Sequence, residues 1–453
     1  MLAAGFLCFF LLKLGAQDSL SYRQLYISGN RITKPSVIRR EVTLLPEVRY
    51  DSSSYAQELS EIRNRLINLG IFNEVNLEAV RDTLFIRIRD RNPIFGYPRF
   101  ALADRNFNQW WDTRDFARSV YGLWAIWRNV GGWNHRLVMQ LLHGYTEMVD
   151  LNYRTPFLRT YHAWSFGARA QFTANHEVWF RTEQNRLQFL KVGQGWGQTQ
   201  WQFAALAAYR PKLYTWAEAE PSWQHFWVAD SVVKPGANAR YLKDGARVQD
   251  AAWLALRLVR DRRVRRDYPI DGSLLRAEVR PMRIMSPQGG KNHLWLSARY
   301  ARYVPVSRAV LVLGAFGRYA TGALPYVYAR AMGYGADYVR GYEPFVADGN
   351  GYVLFKTAWR YPLWFDHHLH PEKLVPNKLL RDVPASVWLN VFADAGRVLR
   401  PIVLPGNELA QSWMAGMGLG LDVLAFYDRM VRFEISLGLN NKPAGNISFI
   451  NAF

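Results

Sequence analysis

Cysteine is all but missing: Cys8 is the only one in 453 residues, so neither a disulfide framework nor a cysteine-built metal site can organise this chain. Cys8 itself lies in the run Met1–Ala16, which is nearly all apolar except Lys13. Residues 1–16 read as a secretory signal peptide, with Leu14-Gly15-Ala16 preceding cleavage before Gln17. Cys8 lacks the small preceding residue of a lipoprotein signal, so it is expected to leave with the signal. Beyond that run no stretch of eighteen apolar residues occurs, and no membrane-spanning helix is expected. Catalytic signatures are missing as well: there is no G-x-S-x-G, no H-E-x-x-H and no P-loop. The expectation is a protein that is not an enzyme and needs no cofactor.

Acidic residues are few, 37 against 57 Lys and Arg, giving a formal charge of +20. Nucleic acid, an anionic membrane surface, or a basic barrel interior would each suit that balance. No zinc-finger, homeodomain or RNA-recognition pattern is present, and a secreted chain has little access to nucleic acid. Lipid headgroups are the expected anions. Aromatics are abundant, with 18 Trp, 24 Tyr and 25 Phe, as in the girdles of membrane barrels and also in carbohydrate-binding β proteins. A chain of this length exceeds a single ordinary core, so a composite is expected.

Residues 22–91 read as a small α/β domain. Leu25-Tyr26-Ile27 forms a strand turned by Gly29-Asn30, and Thr33 caps a helix with Pro35 just inside. Ser54 with Gln57 forms a capping-box pattern for a second helix, whose apolar face is Tyr55, Leu59, Ile62 and Leu66, ending at Gly70. Val75 and Leu77, then Leu84, Ile86 and Ile88, mark two more strands. From 95 to 453 the texture changes to short alternating segments separated by Gly, Asn, Asp and Pro, such as Tyr121–Trp127, Trp164–Phe172, Trp253–Val259 and Leu294–Tyr303. About sixteen strands of roughly 22 residues each, connections included, would use that length; fourteen also satisfy the count.

Two short stretches stand out from this pattern. Val339-Arg340-Gly341-Tyr342 lies in a glycine-rich loop that feeds an alternating strand ending in Trp359-Arg360-Tyr361-Pro362-Leu363. Phe392-Ala393-Asp394-Ala395-Gly396 places one carboxylate in an apolar strand, which is costly unless it meets water or a cation. Arg340 is the candidate, since guanidinium and carboxylate pair in a planar fork; a surface loop and an unrelated strand Asp would read equally well on composition alone.

With these residues in view, the chain resembles the BamA/TamA-like superfamily of outer-membrane assembly and secretion barrels. Val339-Arg340-Gly341-Tyr342 is similar to its VRG(F/Y) loop and Phe392-Ala393-Asp394-Ala395-Gly396 to its F-x-D-x-G strand. The resemblance implies that the loop folds into the barrel lumen and that Arg340 bonds Asp394. One position departs from the pattern: an acidic residue is usual two before the Arg of the R-x-P ending, and Ala358 stands there, with Lys356 two earlier. Arg65 to Phe72 similarly resembles the R-L-x-x-x-G-x-F of a POTRA domain. Weaker echoes are Leu102–Phe107, Leu151–Phe157, and Asp261-Arg262-Arg263 with Tyr268–Gly272, the last resembling a turn between middle strands. Arg260–Arg266, taken alone, reads as a solvated basic face.

The last residues, Asn446 to Phe453, alternate and end on an aromatic, resembling the C-terminal strand signal of outer-membrane barrels through Phe449 and Phe453. His367, His368 and His370 crowd one segment, expected to be a polar loop, not a metal site, because they offer no helical i, i+4 pair. The implied architecture is mainly β: one POTRA-like domain in the periplasm, then a transmembrane antiparallel β-barrel in a Gram-negative outer membrane. The implied function is insertion or translocation of unfolded outer-membrane or secreted polypeptide clients, with membrane lipids and periplasmic accessory proteins as further partners. The alternative is a passive porin or a surface-exposed adhesin or antigen.

Overall fold

The computed structural model describes residues 19–102, 118–157, 163–266, 268–369, 383–425, 429–439 and 444–451. The chain divides into two compact units, residues 1–91 and 92–453.

In the first unit β1 (Ser19–Leu20) pairs with β3 (Tyr50–Asp51). A three-stranded sheet is ordered β2 (Gln24–Ser28), β5 (Thr83–Asp90), β4 (Phe72–Val80), with β2 and β5 parallel. Helices α1 (Pro35–Arg39) and α2 (Ser52–Asn68) cover it. The alternation in β5 decides which face they cover: Leu84, Ile86 and Ile88 are buried, packed with Val37, Ile38, Tyr55, Ile62 and Leu66. Each such buried aliphatic contributes about 1.5–3 kcal/mol. Gly29 is required at the first turn, because its φ is +84° and a Cβ there would meet the Ile88 carbonyl oxygen at 1.9 Å. Arg65, on α2, is buried because its guanidinium ties down the segment after α1, donating to the Glu41 carbonyl at 3.1 Å and the Thr43 hydroxyl at 2.5 Å.

Both helix starts differ from the sequence expectation. Lys34 is the N-cap of α1 and supplies no side-chain capping bond; the Thr33 hydroxyl instead donates to Asp90 at 2.5 Å, pinning the helix entry to the end of β5. Asp51, not Ser54, caps α2. Its carboxylate accepts the Ser54 N–H at 2.9 Å and the Ser53 and Ser54 hydroxyls at 2.5 and 2.6 Å, more donors than one hydroxyl acceptor could satisfy.

The second unit is a closed antiparallel barrel. Its wall begins with β6 (Ile94–Leu102), β7 (Ser119–Val130), β8 (His135–Gly144), β9 (Thr146–Arg154) and β10 (Ala163–Asn175). A side hairpin, β11 (Glu177–Glu183) and β12 (Arg186–Lys191), interrupts it. The wall resumes with β13 (Gln198–Lys212), β14 (Thr215–Val228), β15 (Val248–Asp261) and β16 (Gly272–Ser286). Next come β17 (Gly289–Val306), β18 (Ala309–Ala320) and the three-residue β19 (Arg330–Met332), which lies against β20 (Ala347–Leu369). The wall ends with β21 (Val383–Pro401), β22 (Trp413–Ala425), β23 (Arg429–Gly438) and β24 (Ala444–Asn451), which closes on β6. Because β18 pairs directly with β20, the described wall has sixteen strands.

Period-two patterning sets the two faces. On β15, Leu254, Leu256 and Leu258 point outward while Ala251, Ala255, Arg257 and Val259 point into the lumen. On β23, Phe433, Ile435 and Leu437 are outward, Glu434 and Ser436 inward. Outward aromatics form neighbouring pairs, for example Trp164 with Tyr209 at 5.0 Å and Phe172 with Trp201 at 4.5 Å. Among the described residues no helix is long and apolar enough to cross a membrane.

Strand direction places residues 176–197, 229–247, 321–346 and 402–412 at one end of the barrel, and the tight turns at residues 131–134, 213–214 and 307–308 at the other. At the long-loop end the hairpin tip is knitted to its neighbours: Asn185 N–H donates to the Asn407 side chain at 2.8 Å, and Asn407 donates to the Thr182 carbonyl at 2.9 Å. The expected polar loop at His367 and His368 is strand instead, since β20 runs on to Leu369 against β21; His370 lies outside the described residues.

Candidate functional site: a loop locked against the lumen wall

The loop between β19 and β20 carries Arg340 inward, where it is buried against β21, β22 and β23. Its Nε donates to Asp394 Oδ2 at 2.7 Å and its Nη2 to Oδ1 at 2.6 Å, a two-bond fork. The Arg340 backbone N–H adds a third bond to the same carboxylate at 3.3 Å. Nη1 donates to Glu434 Oε1 at 3.1 Å. The Phe392 ring lies 3.6 Å from the guanidinium carbon, so the cation is covered on its face as well as bonded at its edge.

The neighbouring residues explain how the loop gets so close. Gly416 on β22 lies beneath the Arg340 carbonyl, and a Cβ there would sit 1.9 Å from that oxygen. Gly341, at φ +93°, approaches the β23 backbone so that a Cβ would be 2.5 Å from Gly438 N. Gly396 faces Met332 Sδ and Val339 Cγ2, each 3.1 Å from where its Cβ would be. Glycines thus form a floor on which backbone packs directly. Val339 and Tyr342 complete the anchoring by burying in a cluster with Met332, Tyr352, Leu354, Val398 and Met414. Glu343 accepts the Gly341 N–H at 2.9 Å and the Ser436 hydroxyl at 3.1 Å.

Arg340 and Asp394 therefore meet, and Gly396 and Phe392 flank them. Ala358, where the acidic residue was absent, sits opposite Phe392 in the ladder. A second carboxylate nevertheless reaches Arg340, from Glu434 two strands away. Sequence reasoning missed Glu434, which looks like any inward polar residue on an alternating strand. Lys356 lies opposite Asp394 in register, with its ammonium 4.8 Å from the Tyr338 ring. Phe449 pairs with Val431 on β23, whereas Phe453 lies outside the described residues.

A second contact forms toward the other end. The β15–β16 turn, residues 262–271, sends Tyr268 into the lumen, where its hydroxyl donates to Asp422 Oδ2 on β22 at 2.8 Å. Arg432 holds the same carboxylate through Nε at 2.6 Å and Nη2 at 2.9 Å. Trp388 lies 5.2 Å from the Tyr268 ring and the Arg360 guanidinium 4.6 Å from it. The basic run leading into this turn is not simply a solvated face, because the buried Asp261 carboxylate holds Arg263 at 2.8 Å and Arg266 at 3.2 Å. Among the described residues no group of His, Cys, Asp or Glu is placed to hold a metal.

Residues 21–91 match the POTRA family, described as a surface antigen variable number repeat. BamA from Haemophilus ducreyi lacking POTRA domains 1–3 is similar in structure, with a TM-score of 0.53 at 14% identity, over 95% of this chain and 85% of that one. CdiB from Escherichia coli gives 0.55 at 12% identity, over 95% and 75%, and CdiB from Acinetobacter baumannii 0.50 at 12%, over 95% and 73%. No curated protein matches the sequence significantly.

Proposed function

We propose, for a chain that joins one POTRA domain to a barrel of the BamA and CdiB fold, that it inserts or translocates polypeptides at a Gram-negative outer membrane, without a cofactor. The observation that carries this reading is the Arg340 lock. It pins a lumen loop to Asp394 and Glu434 on β21 and β23, next to β24, the last strand before the barrel closes on β6. A loop held there braces the wall beside the closing seam. A client strand that pairs at this seam would exchange its own ladder hydrogen bonds for those between β24 and β6. In the POTRA sheet, β2 and β4 are the edge strands, and an extended client added to one of them would be held by backbone groups regardless of its side chains.

Depletion of the protein in its native host, followed by quantitative proteomics of outer-membrane and secreted fractions, tests the reading. Loss of other barrels supports assembly, and loss of a single secreted protein supports a dedicated translocation pore. An unchanged proteome with altered solute uptake would replace both with a porin.

A further inference from the structure

We infer that the lumen holds a binding site for a phosphate-type oxyanion, separate from the Arg340 lock. The site is a cavity of about 400 Å³ between the inner wall and the segment that includes β19, lined in part by Trp253, Arg280, Trp295, Arg318, Arg330 and Asp337. Three guanidinium groups share this space, and each lies against an aromatic ring: Arg280 at 5.9 Å from Trp253, Arg318 at 5.4 Å from Trp295 and Arg330 at 4.4 Å from Trp179. Stacking fixes the planes of the guanidinium forks and leaves their edges as donors.

Acceptors are short by comparison. Arg280 is already paired with Glu278 at 2.5 Å, and Asp337, the one carboxylate among the lining residues, accepts from Arg299 at 2.5 Å and from the Tyr352 hydroxyl at 2.5 Å. Gln224 accepts the Tyr328 hydroxyl at 2.7 Å. Arg318 is left donating to the Arg330 carbonyl, an uncharged acceptor for a full cation. The Nε atoms of Arg280, Arg318 and Arg330 bond nothing, and neither does Nε1 of Trp295, a side chain only 7% exposed. All four donors are shielded from solvent and belong to side chains that line this one cavity, and a buried donor without an acceptor is destabilising. The complementary ligand is acceptor-rich and anionic, since phosphate oxygens take guanidinium forks two bonds at a time.

The full-length protein in detergent, titrated calorimetrically at low salt with inorganic phosphate, glucose 1-phosphate and glucose, provides the test. Saturable binding of a phosphate compound is expected, weakened at least tenfold in Arg318→Gln and by added salt, with no binding of glucose. Tighter binding of glucose 1-phosphate than of inorganic phosphate would assign a sugar-phosphate group; equal binding would assign the free anion. Heat-modifiable gel mobility verifies that each variant is a closed barrel. Should Arg318→Gln fail that check, Arg280→Gln and Arg318→Lys carry the comparison, the latter keeping the charge and losing the fork. Absence of saturable binding, or binding unaffected by the folded variants, means that water alone fills the cavity and overturns the site.

Discussion

Two segments enter the lumen from opposite ends of the same barrel, and they are fastened by different chemistry. From the long-loop end, Arg340 brings a full charge to Asp394 and Glu434. From the short-turn end, Tyr268 brings a neutral hydroxyl to Asp422, a carboxylate already neutralised by Arg432. In the first case the loop itself supplies the counter-ion, so wall and loop depend on each other. In the second the wall is complete without the turn. The loop is therefore built as a permanent brace, and the turn as a fastening that can be undone at modest cost.

Removing the loop's charge should have the largest effect. Arg340→Ala leaves Asp394 buried without the cation that forks it and Glu434 with Arg432 alone, at 3.8 Å, a loss of about 3–5 kcal/mol. It should lower the urea midpoint of the barrel and impair activity far more than Lys356→Ala, and equal effects from the two substitutions would sink the lock. Gly416→Ala comes next. Its methyl group would sit 1.9 Å from the Arg340 carbonyl oxygen, and overpacking of this kind costs about 1–3 kcal/mol. Tyr268→Phe should be milder, about 0.5–1.5 kcal/mol for one hydrogen bond whose acceptor keeps another partner. Its signature is expected in planar-bilayer recordings, as more frequent openings with only a small fall in the unfolding midpoint. A Tyr268→Phe barrel as unstable as Arg340→Ala would erase the distinction between brace and fastening.

The same contrast explains what could be read from the sequence. Asp394 drew attention as a lone carboxylate in an apolar strand, and motif resemblance supplied its partner. Asp422 carries the same signal between Leu421 and Val423, but nothing in the sequence points from it to Tyr268, 154 residues earlier, because a turn tyrosine has no periodicity to betray where it goes. The glycine floor was legible in principle: Gly416, Gly418 and Gly420 alternate on one face of β22, and glycine on alternate positions marks a close backbone approach. The side hairpin β11–β12 was missed because its turn residues, Gln184 and Asn185, hold φ of +49° and +59° without a glycine, so the usual hairpin signal is absent. Capping misled for a related reason, since Ser54 matches a cap pattern while serving as donor to the true cap, Asp51.

Asp51 offers the half-buried counterpart of these carboxylates and the smallest of the expected effects. No cation holds it. The Ser53 hydroxyl, then the Ser54 hydroxyl and N–H, donate to the charged form and keep its pKa well below the usual carboxylate value. Because the folded pKa is depressed, its contribution is complete above the unfolded value of about 3.9. That contribution is lost as pH falls through the folded value. Asp51→Asn keeps an N-cap acceptor but does not titrate. The wild-type domain, residues 19–91, should therefore melt above Asp51→Asn at pH 7, and the gap should narrow as pH drops below about 4. Circular dichroism of α2 across that range measures it. A gap of constant size would mean that the serine hydroxyls do not distinguish the charged carboxylate from its protonated form, and that cap geometry alone sets the helix start.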